Sequence, residues 1–355
     1  IWPNFHDKLF GVAVDIGTTT IAAHLCDLST GEVLSQEGIM NPQIRYGEDL
    51  MSRVAFVMMN PESLEKITHT VRTGVDGLIK KMCLQLNIDK KYVLAATVVC
   101  NPIMHHFFLR IDPTELGTAP FALATNESVT LSASELSIKH MNPEASIYML
   151  PCIAGHVGSD AAAVLLAESP HLSKKMTLIV DVGTNAEIIL GNSNRLLAAS
   201  SPTGPAFEGA QISCGQRASI GAIEQIRIDP VTFEPIYKLI GSNQWSNDTV
   251  FAKKQTHPVA TGICGSGIIE AIAEMYLKGL LSRDGNISEE HAKKTKRIQK
   301  DGRTYRFLIQ DGINKIYISQ KDIRAIQLAK AALYAGIKLL MEKMKIKSVD
   351  RIVLA

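Results

Sequence analysis

The pentapeptide Val14-Asp15-Ile16-Gly17-Thr18 returns as Val180-Asp181-Val182-Gly183-Thr184, 166 residues further along, and its surroundings return with it. In each copy an apolar stretch enters the motif (11–14 and 177–180), a second leaves it (20–26 and 187–190), and a polar turn leads into a third (32–35 and 195–199). Apolar runs of this length, bounded by turn residues, read as strands. The pattern predicts one β-turn-β-turn-β opening used twice, which restricts the fold to an α/β chain with two related halves. A length of 355 residues with 46% hydrophobic content supports a core in each half.

Between the copies, 47–58 and 61–86 read as helices, 93–99 and 146–153 as strands, and 159–168 as a helix. A further helix is expected over 265–281. The last helix carries Ile323, Ile326, Leu333, Ile337, Leu340 and Met344 at spacings of three, four and seven, with Ser319 and Asp322 forming a capped start. The expected organisation is a linker remnant over 1–10, a first domain over 11–170 and a second over 171–355. The first carries an irregular insertion at about 110–145, marked by Asp112-Pro113, Ala119-Pro120 and Asn142-Pro143. The second carries a polar insertion at about 282–316, whose eight Lys and Arg between Arg283 and Arg306 make either a partner surface or a solvated face. This insertion and the paired helices near the C-terminus are the two candidate surfaces for a homodimer. Because the chain starts at Ile1 without Met and stops at Ala355 just inside a strand, a fragment of a longer protein is expected.

A formal charge of +2 gives no general attraction for nucleic acid or anionic lipid. No apolar run approaches the roughly 20 residues of a bilayer span, and residues 1–10 lack the basic and apolar regions of a signal peptide. The expectation is a cytoplasmic protein that binds neither nucleic acid nor membrane. Six widely spaced cysteines without a C-x-x-C read as reduced and buried, so an iron-sulfur cluster held by this chain alone is not expected.

Asp-x-Gly-Thr at a turn between strands suits a phosphate. Gly17 and Gly183 allow positive φ and carry no Cβ, so backbone N–H groups can approach phosphate oxygens, and Thr18, Thr19 and Thr184 add hydroxyl donors. Asp15 and Asp181, at strand ends, are candidate ligands of Mg²⁺, held through its waters because that ion dehydrates reluctantly. One such motif equally fits an ordinary hairpin. Two in equivalent contexts point to a phosphate clamp.

Two hairpin phosphate loops in a duplicated βββαβαβα frame resemble the actin, sugar kinase and hexokinase superfamily. The resemblance implies ribonuclease-H-like (actin-like ATPase) domains with ATP and Mg²⁺ in a cleft between them, and an adenosine loop following the strand at which this chain stops. A narrower resemblance rests on the segments Asn41 to Asp49 with Ser52-Arg53, Asn101 to His106, Gly158-Ser159-Asp160, Asp181 to Glu187, Gly204 to Ala210 and Gly262 to Gly267. In that order these are similar to the ATP-dependent reductive activators of corrinoid proteins. That family uses ATP to return the Co(II) corrinoid protein of a methyltransferase system to Co(I), with electrons from an iron-sulfur domain ([2Fe-2S] or another cluster) at one end. That domain is expected outside residues 1–355. The resemblance also brings Asn185 into the nucleotide-binding set.

In-line hydrolysis needs a carboxylate to orient water. Asp160, opening the helix after 146–153, is the first candidate and Glu208 the second. The alternatives are a first-turn acid on the helix dipole for Asp160 and a loop ion pair for Glu208. Gly262, Gly265, Ser266 and Gly267 form a glycine-rich helix entry that suits either an anion or close packing. His105 and His106 read as packing residues, since neighbours on a helix face different ways. The segment Asn41 to Arg53 reads as a capping loop or a partner surface. Two other functions stay open: a small-molecule kinase on the same fold, and a nucleotide-switched binding module that does not hydrolyse.

Overall fold

The computed structural model describes residues 8–183, 185–248, 259–312 and 314–355. The first Asp-x-Gly-Thr sits between β1 (Phe10–Ile16) and β2 (Thr20–Asp27), which pair antiparallel, and β3 (Val33–Met40) continues the meander. Alternation along β1 buries Val12, Val14 and Ile16 and leaves Ala13 and Asp15 on the other face. After helices α1 (Leu50–Met59) and α2 (Leu64–Gln85), the chain returns as β4 (Val93–Cys100), parallel to β1. Helix α3 (Pro102–Leu109) leads into the expected irregular region, which contains one strand, β5 (Val129–Ser132), before β6 (Ser146–Met149) and helix α4 (Ser159–Glu168). The six strands lie in the order β3-β2-β1-β4-β6-β5. Helix α2 presents Ile67, Val71, Val75, Leu78 and Met82, about one per helical turn, to the core under this sheet.

The second copy repeats the plan. Strands β7 (Thr177–Val182), β8 (Ala186–Asn192) and β9 (Arg195–Ser201) follow, and their sheet runs in the order β9-β8-β7, matching β3-β2-β1. The later strand β16 (Arg351–Leu354) lies parallel beside β7, with Val180 opposite Leu354 as Val14 is opposite Val98. Two halves with the same strand order are the duplicated ribonuclease-H-like arrangement of an actin-like ATPase. The compact units are the chain up to Met176 with Gly191–Ala199, and Thr177–Leu190 with Ser200–Ala355.

Between β9 and β16 the second unit carries β10 (Ala222–Ile228), β11 (Pro235–Leu239) and β12 (Gly262–Ile263) in one sheet, then α5 (Gly265–Leu277) and the short α6 (Glu289–Ala292). A second sheet holds β13 (Ile298–Asp301), β14 (Thr304–Gln310) and β15 (Ile316–Ser319), and α7 (Gln320–Met344) follows. The described residues of the polar stretch 282–316 thus include α6, β13 and β14. Ile298, Phe307, Ile309 and Ile316 enter the same core as Ile223 and Ile268, while Lys300, Asp301, Arg303, Asp311 and Lys315 are exposed. The start of α7 is capped as expected: Asp322, fully buried, accepts from Ser319 N (2.8 Å) and Oγ (2.8 Å) and from Ser213 N (2.8 Å) and Oγ (3.0 Å). Ile323, Ile326 and Leu340 are buried, whereas Leu333, Ile337 and Met344 are half-buried. Among the described residues no helix is long and apolar enough to cross a membrane.

Candidate functional site

In the first unit the turn Gly17-Thr18-Thr19 is held by its carbonyls. Gly17 O accepts from Asn41 Nδ2 (2.8 Å), Thr18 O from Arg53 Nη2 (2.7 Å) and Thr19 O from Asn41 N (2.9 Å). A trans peptide points its N–H opposite to its C=O. With the carbonyls of Gly17 and Thr18 turned to protein donors, the amides of Thr18 and Thr19 face the other way, the geometry an anion requires. Thr18 Oγ1 accepts from Asn101 Nδ2 (3.2 Å). Neither Gly17 nor Gly183 uses the positive φ that a glycine allows. Gly17 is needed for room instead: a Cβ there would stand 2.7 Å from the Thr20 carbonyl oxygen.

Asp15, next to last in β1, lies opposite Val99 of β4, beside the segment that leads through Cys100 to Asn101. Asp160 comes to the same place from the other side. Ser159 Oγ accepts from Cys100 N (2.9 Å) and donates to Cys100 O (3.1 Å), pinning the start of α4 to the end of β4. Gly158 permits this approach, since a Cβ would come within 2.4 Å of Cys100 O. Burial, then Cys152, and the nearby carboxylates of Asp160 and Asp15 together push the Cys100 thiol well above its ordinary range. The first unit thus brings Asp15, Thr18, Thr19 and Asp160 to one end of its sheet. Asp160 also accepts from Ala161 N (2.7 Å), the bond of a first-turn acid, so it meets the helix-start reading as well.

The second unit builds a parallel arrangement. Thr203 Oγ1 donates to Gly183 O (3.2 Å), just past β9, as Asn41 does for Gly17 just past β3. Gly183 N donates to Asn185 O (3.0 Å). The Glu208 carboxylate stands beside this turn: a Cβ on Gly183 would be 3.8 Å from Glu208 Oε1. Burial pushes the Asp181 carboxyl above the usual carboxylate range. Thr184 lies outside the described residues. The glycines of the helix entry are explained by close packing. Cβ atoms would reach Gln216 Oε1 at 2.6 Å from Gly262, Phe207 O at 1.7 Å from Gly265 and Ile223 O at 2.3 Å from Gly267. Ser266 Oγ lies 3.3 Å from Cys264 Sγ. The contact of Gly265 with Phe207 seats Glu208 against the start of α5.

His105 and His106 are buried. His106 is satisfied by Pro102 O (2.8 Å) and Ala124 N (3.2 Å), whereas both ring nitrogens of His105 lack a hydrogen-bond partner among the described residues. Burial, with the neighbouring His106, lowers the His105 pKa to about 4. Its folded pKa is below the unfolded one, so the neutral ring stabilises the fold fully above about pH 6.5, and this is lost as pH falls towards 4. The loss should amount to about 3 kcal/mol at most, and His105→Leu should flatten it. Urea unfolding at pH 7, 5.5 and 4.5 checks this, and an unchanged slope in the variant would count against it.

Asn41, Arg53, Asn101 and Thr203 support the turns from a distance. In the sequence Asn41 and Arg53 read as part of a capping loop or partner surface, and Asn101 stands out only within a segment of the family resemblance; the repeated Asn-Pro at 41–42 and 101–102 is the signal that links Asn41 and Asn101.

Two family models match the chain, one described as the RACo middle region over residues 10–173, the other as the C-terminal domain of RACo, the ASKHA domain, over 175–355. The chain belongs to the RACo family. It is 35% identical over 96% of its length to the corrinoid activation enzyme RamQ of Eubacterium limosum. It is 29% identical over 76% of its length to the [Co(II) methylated amine-specific corrinoid protein] reductase of Methanosarcina barkeri. A solved structure named as a reductive activator for corrinoid, iron-sulfur protein superposes with a TM-score of 0.85 at 33% identity, over 99% of this chain and 54% of that one. The chain spans 56% and 51% of the two curated relatives, about half of each. Membership in the family agrees with the motif resemblance and with the strand order of both units.

Proposed function

We propose that this chain is the ATP-binding and ATP-hydrolysing core of a reductive activator that returns Co(II) corrinoid proteins of methyltransferase systems to Co(I). Electrons would come from an iron-sulfur domain outside these residues. The observation that carries the reading is the pair of Asp-x-Gly-Thr turns, each with its glycine carbonyl held by a side chain just past the third strand of its sheet. The names of the relatives supply the corrinoid half.

Asp15 and Asp181 are the Mg²⁺-facing carboxylates in this reading. Among the described residues no group of three or more His, Cys, Asp or Glu could hold a metal by itself, which suits an ion bound chiefly through water and phosphate. The ion would neutralise charge on the phosphates. The burial that raises Asp181 fits, because a carboxylate that is costly to ionise alone is relieved by a cation. A raised folded pKa means that the protonated form favours the fold and that this advantage is lost as pH rises through that pKa. Asp181→Asn should therefore leave the ligand-free protein at least as stable at pH 7, while weakening Mg-nucleotide binding about 10- to 100-fold. Calorimetric titration with a nonhydrolysable ATP analogue, beside a melting curve, tests both halves; undiminished affinity would remove Asp181 from the site.

Asp160 orients the attacking water and Glu208 is the second candidate. The outward amides of Thr18 and Thr19 stabilise charge on the phosphates. The deciding experiment is steady-state ATP hydrolysis with and without a Co(II) corrinoid protein, with Asp15→Ala as control. Turnover stimulated by the corrinoid protein and abolished by Asp15→Ala is the expected result. Turnover indifferent to the corrinoid protein would favour a kinase or another partner, and binding without turnover would favour a nucleotide-switched module.

A further inference from the structure

Asn41 and Asn101 share a construction that goes beyond helix capping. Each precedes a proline. Each Oδ1 accepts from a backbone amide of the turn it starts, Gln43 N at 3.0 Å and Met104 N at 3.0 Å. Each Nδ2 then reaches the first phosphate turn, Asn41 at Gly17 O (2.8 Å) and Asn101 at Thr18 Oγ1 (3.2 Å). The backbone settles which way round both amides sit, because a peptide N–H can be satisfied only by the oxygen end. The second contact therefore has a defined polarity. Asn101 donates, Thr18 Oγ1 accepts, and the hydroxyl hydrogen of Thr18 is directed away from Asn101.

We infer that Asn101 is a positioning residue for an anionic oxygen of the ligand, acting through Thr18. It holds the Thr18 hydroxyl as a donor beside the outward amides of Thr18 and Thr19, so that the turn presents three donors to one phosphate. Asn41 and Arg53 set the two amides by holding the carbonyls of Gly17 and Thr18, and Asn101 sets the hydroxyl. Thr18 is 9% exposed, so its hydroxyl has little water to reorient it. The inference rests on the nucleotide reading and deepens it, naming a residue outside the Asp-x-Gly-Thr motif that tunes phosphate affinity.

The test is a double-mutant cycle on the affinity for a nonhydrolysable Mg-ATP analogue, with melting temperature as a second readout. Asn101→Ser keeps a good N-cap and the charge but cannot reach Thr18. It should weaken binding about fivefold, the scale of one hydrogen bond, with little change in melting temperature. Thr18→Val should weaken binding about tenfold. If Asn101 works through the hydroxyl, the double variant binds no worse than Thr18→Val alone, and Thr18→Ser, which keeps the hydroxyl, stays sensitive to Asn101→Ser. If the serine variant melts early, Asn101→Asp replaces it. That change keeps shape and cap but accepts from Thr18 and reverses the hydroxyl, and the part of its loss beyond the added charge should vanish in the Thr18→Val background. Additive losses, or undiminished affinity in Asn101→Ser, would overturn the inference while the nucleotide reading stands. No binding by the unaltered chain would overturn both.

Discussion

Arg53→Met should lower the stability of the first unit by about 3–5 kcal/mol and weaken nucleotide binding with it. Arg53 is fully buried, a rare setting for a guanidinium. Its Nε donates to Gly47 O (2.8 Å), its Nη2 to Thr18 O (2.7 Å) and its Nη1 to Met104 Sδ (3.6 Å). The planar fork reads two carbonyls from different segments at once and so ties the loop before α1 to the phosphate turn. Methionine fills much of the volume but leaves the buried Thr18 carbonyl and the half-buried Gly47 carbonyl without these donors. Lysine keeps the charge but cannot span both acceptors, so Arg53→Lys should fall between the two. The order wild type, Lys, Met in both urea midpoint and analogue affinity is expected. A Met variant as stable as the parent would mean that water reaches these carbonyls and that the buried fork does not hold the turn.

Asp160→Asn should reduce ATP turnover by about 10²- to 10⁴-fold while analogue affinity stays within about threefold. The amide oxygen can still accept from Ala161 N, where the carboxylate now does at 2.7 Å, and Ser159 keeps the helix start pinned to Cys100. What the substitution removes is the negative charge beside Asp15 and the turn. Single-turnover hydrolysis with saturating nucleotide isolates that effect from binding. The same measurement on Glu208→Gln ranks the two carboxylates: Glu208 flanks Gly183 in the second unit as Asp160 flanks the end of β4 in the first. If Asp160→Asn turned over within tenfold of the parent and Glu208→Gln did not, the water-orienting role would pass to Glu208.

Much of the frame could be read from the chain, because strands and helices announce themselves in periods of two and 3.6 that need no partner to be visible. The strands around both Asp-x-Gly-Thr motifs, the long helices α2 and α7 and the Ser319–Asp322 cap all follow from such local patterns. In the stretch 282–316 the contribution to the core is not legible, for the opposite reason. Its charges dominate the composition, while the few residues that join the core, such as Phe307 and Ile309, are recognisable only once β14 lies against its neighbours. The glycines were legible as glycines but not for their cause. At Gly17, Gly158 and Gly265 the constraint is a carbonyl oxygen brought close by folding, at Gly158 and Gly265 from a distant segment.

For the site, the sequence by itself determined which residue types stand at the two turns and that there are two of them, since a duplicated motif is a property of the string. Only the tertiary structure decided how the first turn is oriented. Its carbonyls and hydroxyl are held by side chains 24, 35 and 83 residues away, Asn41, Arg53 and Asn101. Hydrogen bonds over such separations leave no periodic trace along the chain. They exist only when sheet and helices have packed, because a turn this short cannot satisfy its own carbonyls, and whichever groups meet them set the direction in which its amides point.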